Sequence, residues 1–188
     1  MNIIVRTYGS QSCYCRPDTT WERENKDFYV PDGTDKILWA PIAFVRISKA
    51  GKCIGKKFAT RYYDAFNFGA LLYCSHDSEP FRLAFSSCMD HTSLLPFPLY
   101  NIAVMENGSN TFEICKEGTG IFRDTTEGLK EKLEDAICLA SKTTSLRIGD
   151  FVAVELAEIT DLATRDEGVA SLRAEFCGNE VLSLKLFF

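Results

Sequence analysis

Two short stretches of this sequence set a thiol close to an imidazole. Cys74-Ser75-His76 and Cys88-Met89-Asp90-His91 contain both of the chain's histidines. Thiolate and imidazole are ligands that suit tetrahedral zinc, so Cys74, His76, Cys88 and His91 make a conceivable Cys₂His₂ set, although these spacings match no common zinc module. Cys88 and His91 could also serve as nucleophile and base, with Asp90 beside them as a further carboxylate. Sequence alone assigns no third group to orient the imidazole. The plainer expectation is two loop histidines near buried cysteines.

Other stretches carry less chemistry. Gly51-Lys52-Cys53-Ile54-Gly55-Lys56-Lys57 superficially matches a phosphate-binding loop. It has one residue too few between the glycines, and Lys57 stands where a metal-binding hydroxyl is required, which leaves a plain turn. Asn107-Gly108-Ser109 has the form of a glycosylation acceptor, but an intracellular chain would use it as a hairpin turn. The sequence holds no Gly-x-Ser-x-Gly elbow, no His-Glu-x-x-His helix and no Gly-x-Gly-x-x-Gly turn.

The framework that must position these residues is one of average composition. The chain has 188 residues, a formal charge of −5 and 46% hydrophobic residues. A domain of this size buries roughly 70% of the surface its unfolded chain exposes and needs no staples. Its Lys and Arg are scattered, which argues against nucleic acid, where clustered cations displace condensed counterions. Met1 to Arg6 is too short an apolar run for a signal peptide, and no stretch approaches the ~20 apolar residues of a membrane span. These features predict a soluble, cytoplasmic protein. Eight cysteines without a Cys-x-x-Cys pair are expected to be mostly small buried hydrophobes.

Runs rich in Val, Ile, Phe and Tyr predict strands over Asn2 to Tyr8, Phe28 to Val30, Ile42 to Ser48, Phe68 to Tyr73, Tyr100 to Met105, Thr111 to Lys116, Phe151 to Leu156, Ala170 to Phe176 and Val181 to Phe187. Glu106 to Asn110 and Gly178-Asn179 would close hairpins. Leu129, Leu133, Ala136, Ile137 and Ala140 recur at helical spacing behind Asp124-Thr125-Thr126-Glu127, which predicts one amphipathic helix over about 126–141. A shorter helical turn is expected around Lys57 to Tyr63. The sum is a mostly β, α+β chain, with residues 1–188 forming one domain.

Arg16-Pro17-Asp18-Thr19-Thr20, then Phe28-Tyr29-Val30-Pro31-Asp32, then Val45 to Ile54 and Phe58-Ala59-Thr60-Arg61-Tyr62-Tyr63-Asp64, resemble the fumarylacetoacetate hydrolase family in order and spacing. Leu146-Arg147-Ile148-Gly149-Asp150 and the closing hairpin continue the resemblance, which is nearest to short bacterial members and runs from about Arg16 onward. It implies a mixed β-roll, usually homodimeric, and an Mg²⁺- or Mn²⁺-dependent hydrolase or decarboxylase acting on C–C bonds of 1,3-diketo or oxo acids. In that chemistry the ion stabilises an enolate as its charge appears.

A hard divalent ion needs oxygen ligands, which the family supplies as a Glu-x-Glu pair on one strand and an Asp on the next. In this sequence Ala40 and Ile42 fall at the two Glu positions and Leu71 at the Asp. Phe85 falls near the family's active-site Lys, Val154-Glu155-Leu156-Ala157 replaces its Gly-Thr-Pro loop, and only 15 residues precede Arg16, where the family carries a lid His. The resemblance thus implies an N-terminally shortened, degenerate member that expects no metal cofactor: a pseudoenzyme that binds, as a homodimer or beside an active paralogue. The alternatives are a site rebuilt from Asp77, Glu79, Arg82, Asp90 and His91, and the Cys/His zinc site.

Overall fold

The structure, a computed structural model, describes residues 1–75 and 79–188. Its spine is one long antiparallel pair, β5 (Lys36–Ile47) with β6 (Tyr63–Cys74), in register from Ile37↔Cys74 to Ile47↔Tyr63. Both strands read as nearly unbroken apolar runs because both of their faces are covered. The free edge of β5 is shared end to end by β11 (Phe151–Glu155) and β12 (Thr160–Thr164), and β11 continues to β1 (Asn2–Arg6) in parallel and then to β2 (Cys13–Pro17). On the other side β6 pairs with β7 (Ser93–Leu94) and β8 (Tyr100–Asn101), and β7 carries β3 (Trp21–Glu22) in parallel.

A second sheet of five strands has the order β10 (Thr119–Thr125), β9 (Thr111–Lys116), β13 (Val169–Phe176), β14 (Asn179–Phe187) and β4 (Phe28–Tyr29). The larger core lies between the sheets. Phe66 and Phe68 from β6 meet Phe112 of β9 and Phe176 of β13 there, with Phe68 stacked on Phe112 at 4.4 Å. Helix α2 (Leu129–Thr143) lays Leu129, Leu133, Ala136, Ile137 and Ala140 into the same core. The opposite face of the large sheet builds a second apolar cluster from Ile3, Val5, Ala40, Ile42, Phe44, Leu71, Leu95 and Phe151. The architecture is therefore mostly β with one long amphipathic helix.

Several expectations need correction. Helix α2 begins at Leu129 instead of 126, behind Gly128 at φ 66°. The Thr126 amide and hydroxyl are taken by the Asn110 and Asn107 carbonyls, which holds residues 124–127 outside the helix. The run from Tyr100 is a strand for two residues only, since Asn101 Oδ1 accepts the Ala103 amide at 2.9 Å and starts a 3₁₀ turn over Ile102–Glu106. Residues 106–110 accordingly join no hairpin, and β9 pairs with β10 and β13. Sequence reading missed β10, an exposed and polar strand, and α1 (Glu79–Ser86), so Glu79 and Arg82 are helical and not in a loop. The predicted turn near Lys57 is the 3₁₀ segment Lys56–Arg61, and the expected β13–β14 hairpin forms with its turn on Cys177 and Gly178, both at positive φ, one residue before the expected Gly178-Asn179 because Asn179 already pairs with Phe176. None of the described helices is long and apolar enough to cross a membrane.

Candidate functional site

Strand pleating puts Ala40 and Ile42 on one face of β5, and the register sets Leu71 directly across from Ala40. All three side chains are fully buried in the second apolar cluster, between Phe44, Leu38 and Leu95. None offers an oxygen. A divalent ion of the Mg²⁺ or Mn²⁺ kind strips poorly from water and takes carboxylate or carbonyl oxygens, so these three residues do not fit one. Phe85 does not complete this cluster. It is 51% exposed on α1, which presents Leu83 to the cluster instead.

The carboxylate on the strand beside Ile42 is that of Glu155, paired with Ile42 across β11 and only 3% exposed. Its lone pairs are occupied. The Tyr73 hydroxyl donates to Oε1, the Tyr8 amide to Oε2 at 2.9 Å, and the Tyr14 hydroxyl lies 3.4 Å from Oε1 while sitting 2.5 Å from the Tyr73 oxygen. Burial pushes the Tyr14 phenol up to about 12 and raises that of Tyr73 well above the ordinary tyrosine range, so both remain donors. Arg16, of the Arg-Pro-Asp motif, lies over the Tyr73 ring at 4.8 Å and is itself fully buried. Its guanidinium donates to the carbonyls of Leu72 and Thr92 and to the hydroxyls of Thr92 and Ser93, tying β2 to β6 and β7. The face that the resemblance assigns to catalysis thus holds a hydrocarbon plug and a buried hydrogen-bond network.

The thiols and imidazoles separate. Cys74 is buried in the main core, with Sγ 3.3 Å from Met89 Sδ, and burial raises its thiol. Cys88 and Asp90 are exposed, and Cys88 Sγ lies 3.8 Å from the Ser87 hydroxyl. His76 and Asp77 lie outside the described residues. Among the described residues no three or more His, Cys, Asp or Glu side chains gather as a metal site.

His91 has a partner that sequence reading did not find. Its Nδ1 is 3.0 Å from Oε2 of Glu22, a carboxylate that is only 4% exposed, while the imidazole is 55% exposed. The same Glu22 accepts the Glu24 amide at 2.7 Å and the Lys26 amide at 3.4 Å on Oε1. The two residues are 69 positions apart, and only the parallel pairing of β3 with β7, Glu22 to Leu94, brings them together. They line a surface depression of about 630 Å³ together with Asp18, Trp21, Arg23, Glu24 and Lys26. A second concavity, of about 520 Å³, lies on the five-stranded sheet among Glu113, Cys115, Arg173 and Lys185.

No protein-family profile matches the chain, and no curated protein matches it in sequence. Solved structures do match its fold. A fumarylacetoacetate hydrolase family protein from Yersinia pestis CO92 superposes with a TM-score of 0.81 at 12% identity, over 99% of this chain and 92% of that one. Fumarylpyruvate hydrolase from Pseudomonas aeruginosa, solved with Mn²⁺ and pyruvate, gives 0.78 at 13% identity, over 100% and 90%. Maleylpyruvate hydrolase from Sphingobium sp. SYK-6 gives 0.78 at 11% identity, over 99% and 70%. The fold of this chain is the one these proteins share.

Proposed function

We propose that this chain is a fumarylacetoacetate hydrolase family protein without the family's metal-dependent reaction, acting by binding as a cytoplasmic homodimer or as the partner of an active paralogue. The shared fold over nearly the whole chain and the motif order from Arg16 to Asp64 support the family. The observation that carries the loss is the packing of Ala40, Ile42 and Leu71 at 0% exposure where oxygen ligands would be needed. Rebuilding the centre in place would require burying carboxylates among Phe44, Leu95 and Phe151, and an unpaired buried charge is strongly disfavoured. Glu155, the carboxylate next to Ile42, serves the fold by holding Tyr73, Tyr14 and the Tyr8 amide.

The test is titration calorimetry of the purified chain with MnCl₂ and MgCl₂, followed by assays with oxaloacetate and an acylpyruvate. The expected result is no stoichiometric metal binding and no turnover above the metal-only control. One tightly held Mn²⁺ per chain together with turnover would overturn the reading. Sedimentation is expected to give twice the 21.1 kDa chain mass.

A further inference from the structure

We propose that Glu22 and His91 form a metal-independent general-base dyad that hydrolyses small uncharged carboxylic esters in the depression they line. Both carboxylate oxygens of Glu22 act as acceptors, Oε1 from the Glu24 and Lys26 amides and Oε2 from His91. The proton of the Glu22–His91 bond therefore belongs to Nδ1, which fixes the tautomer and leaves the lone pair on Nε2. Nε2 has no hydrogen-bond partner among the described residues, and His91 borders the depression.

The dyad is held from both sides. Glu22 is fixed by its strand pairing with Leu94 and by the two amides it accepts. His91 sits at φ 58°, a left-handed backbone conformation unusual for a side chain with a Cβ, with its amide directed to the Thr19 carbonyl at 3.5 Å. Strained backbone of this kind persists where neighbours over-determine it, and it concentrates at functional sites. A buried acceptor that orients a half-exposed imidazole has the geometry a base needs, with the reactive nitrogen toward solvent and the other nitrogen fixed.

The substrate class follows from the charges at the rim. The Met1 ammonium, Arg23 and Lys26 face Asp18, Glu22 and Glu24, and the pairs Met1–Asp18, Lys26–Glu24 and Arg23–Glu24 lie at 3.7, 2.7 and 3.9 Å. The three formal cations and three anions cancel, so no net field draws a charged ligand. The Trp21 indole is taken up by the fold, packed on Phe97 and Phe151 with the Arg23 guanidinium over its ring and its Nε1–H donated to the Leu95 carbonyl, so the rim selects by charge alone. In the reaction Nε2 takes a proton from water as the water oxygen attacks the ester carbonyl. The tetrahedral intermediate then expels the alcohol oxygen, which receives that proton from the imidazolium, and a carboxylic acid is left. Water is the only co-reactant.

The experiment is multiple-turnover hydrolysis of 4-nitrophenyl acetate by the full chain in EDTA. The decisive variant is His91→Asn, because Asn tolerates the left-handed backbone and has no basic ring nitrogen. Loss of a general base is expected to lower kcat by roughly 10²-fold or more. Glu22→Gln, a change at the positioning residue, is expected to lower kcat by at least roughly tenfold with KM unchanged. It should also remove the downfield Nδ1–H resonance of His91 in ¹⁵N-histidine spectra, which reports the bond to Glu22, while the fall in kcat at unchanged KM separates positioning of the base from a merely structural role. Equal turnover by wild type and His91→Asn would overturn the proposal. So would a single stoichiometric acetylation of Lys26 or the Met1 amine without turnover. Activity abolished by EDTA and restored by Mn²⁺ would overturn both this proposal and the loss of metal chemistry, whereas metal-independent turnover insensitive to His91→Asn overturns this one alone.

Discussion

At the scale of single residues, Tyr73 does more than fill space. It gives its proton to Glu155, accepts from Tyr14 and lies under the Arg16 guanidinium. Tyr73→Phe keeps the ring and removes the donor, leaving a buried carboxylate short of a partner, and is expected to cost about 1–3 kcal/mol in urea unfolding. The same pair makes a pH prediction. The Tyr14 phenol rises from 10.0 to about 12 and Tyr73 rises too, so the folded chain keeps protons that the unfolded chain releases. Their contribution is whole below about pH 10 and is lost as pH climbs toward 12. Urea midpoints are expected to fall across that window, and to fall less steeply in Tyr14→Phe. A parallel decline in the two proteins would rule out this origin. Nothing in the local sequence around Glu155 announces the network, because its members come from three different strands.

Among the elements, the contact between β6 and β7 is tight enough to dictate a residue. A Cβ on Gly69 would lie 2.1 Å from the Leu94 carbonyl oxygen, in backbone that cannot rotate away. Gly69→Ala is expected to destabilise by about 1–3 kcal/mol through overpacking. Gly55→Ala serves as the control, since its nearest neighbour would be Phe58 Cδ2 at 3.9 Å and its φ is −80°, and it is expected to be neutral or slightly stabilising. Chemical denaturation of the two variants checks the difference. The β6–β7 contact also matters for the dyad, because β7 is the strand on which β3 carries Glu22 toward His91. Gly69 would have read in sequence as an interruption within an apolar run. Its role depends on how closely a two-residue strand 25 positions away approaches it.

For the whole molecule, the two sheets interleave along the chain. The large sheet takes strands from Asn2 to Thr164 and the five-stranded sheet from Phe28 to Phe187, so neither can form from a contiguous piece. β5 and β6 carry both apolar clusters on their two faces. We expect a single cooperative unfolding transition, with near-UV and far-UV circular dichroism coincident in urea. Two separated transitions would divide the chain into independent units. The buried cluster of Ala40, Ile42 and Leu71 belongs to this scale too, because its residues come from both strands of the spine and serve the second core together.

The sequence by itself determined the mostly β character, the amphipathic helix with its five core positions, the closing hairpin and the fold shared with solved structures at about 12% identity, because periodicity and turn chemistry are local. It also singled out Ala40, Ile42 and Leu71, which the structure buries together in the second core. It could not show that Tyr100 to Met105 leaves the sheet after two residues, since a side-chain cap competes there with strand propensity. It could not show that Phe85 lies exposed on α1, because exposed and buried phenylalanines read alike. Only the tertiary structure decided that Cys74 and His91 serve different surroundings and that Glu22 is the partner of His91. Their bond spans 69 residues and exists through a strand pairing that neither segment encodes alone.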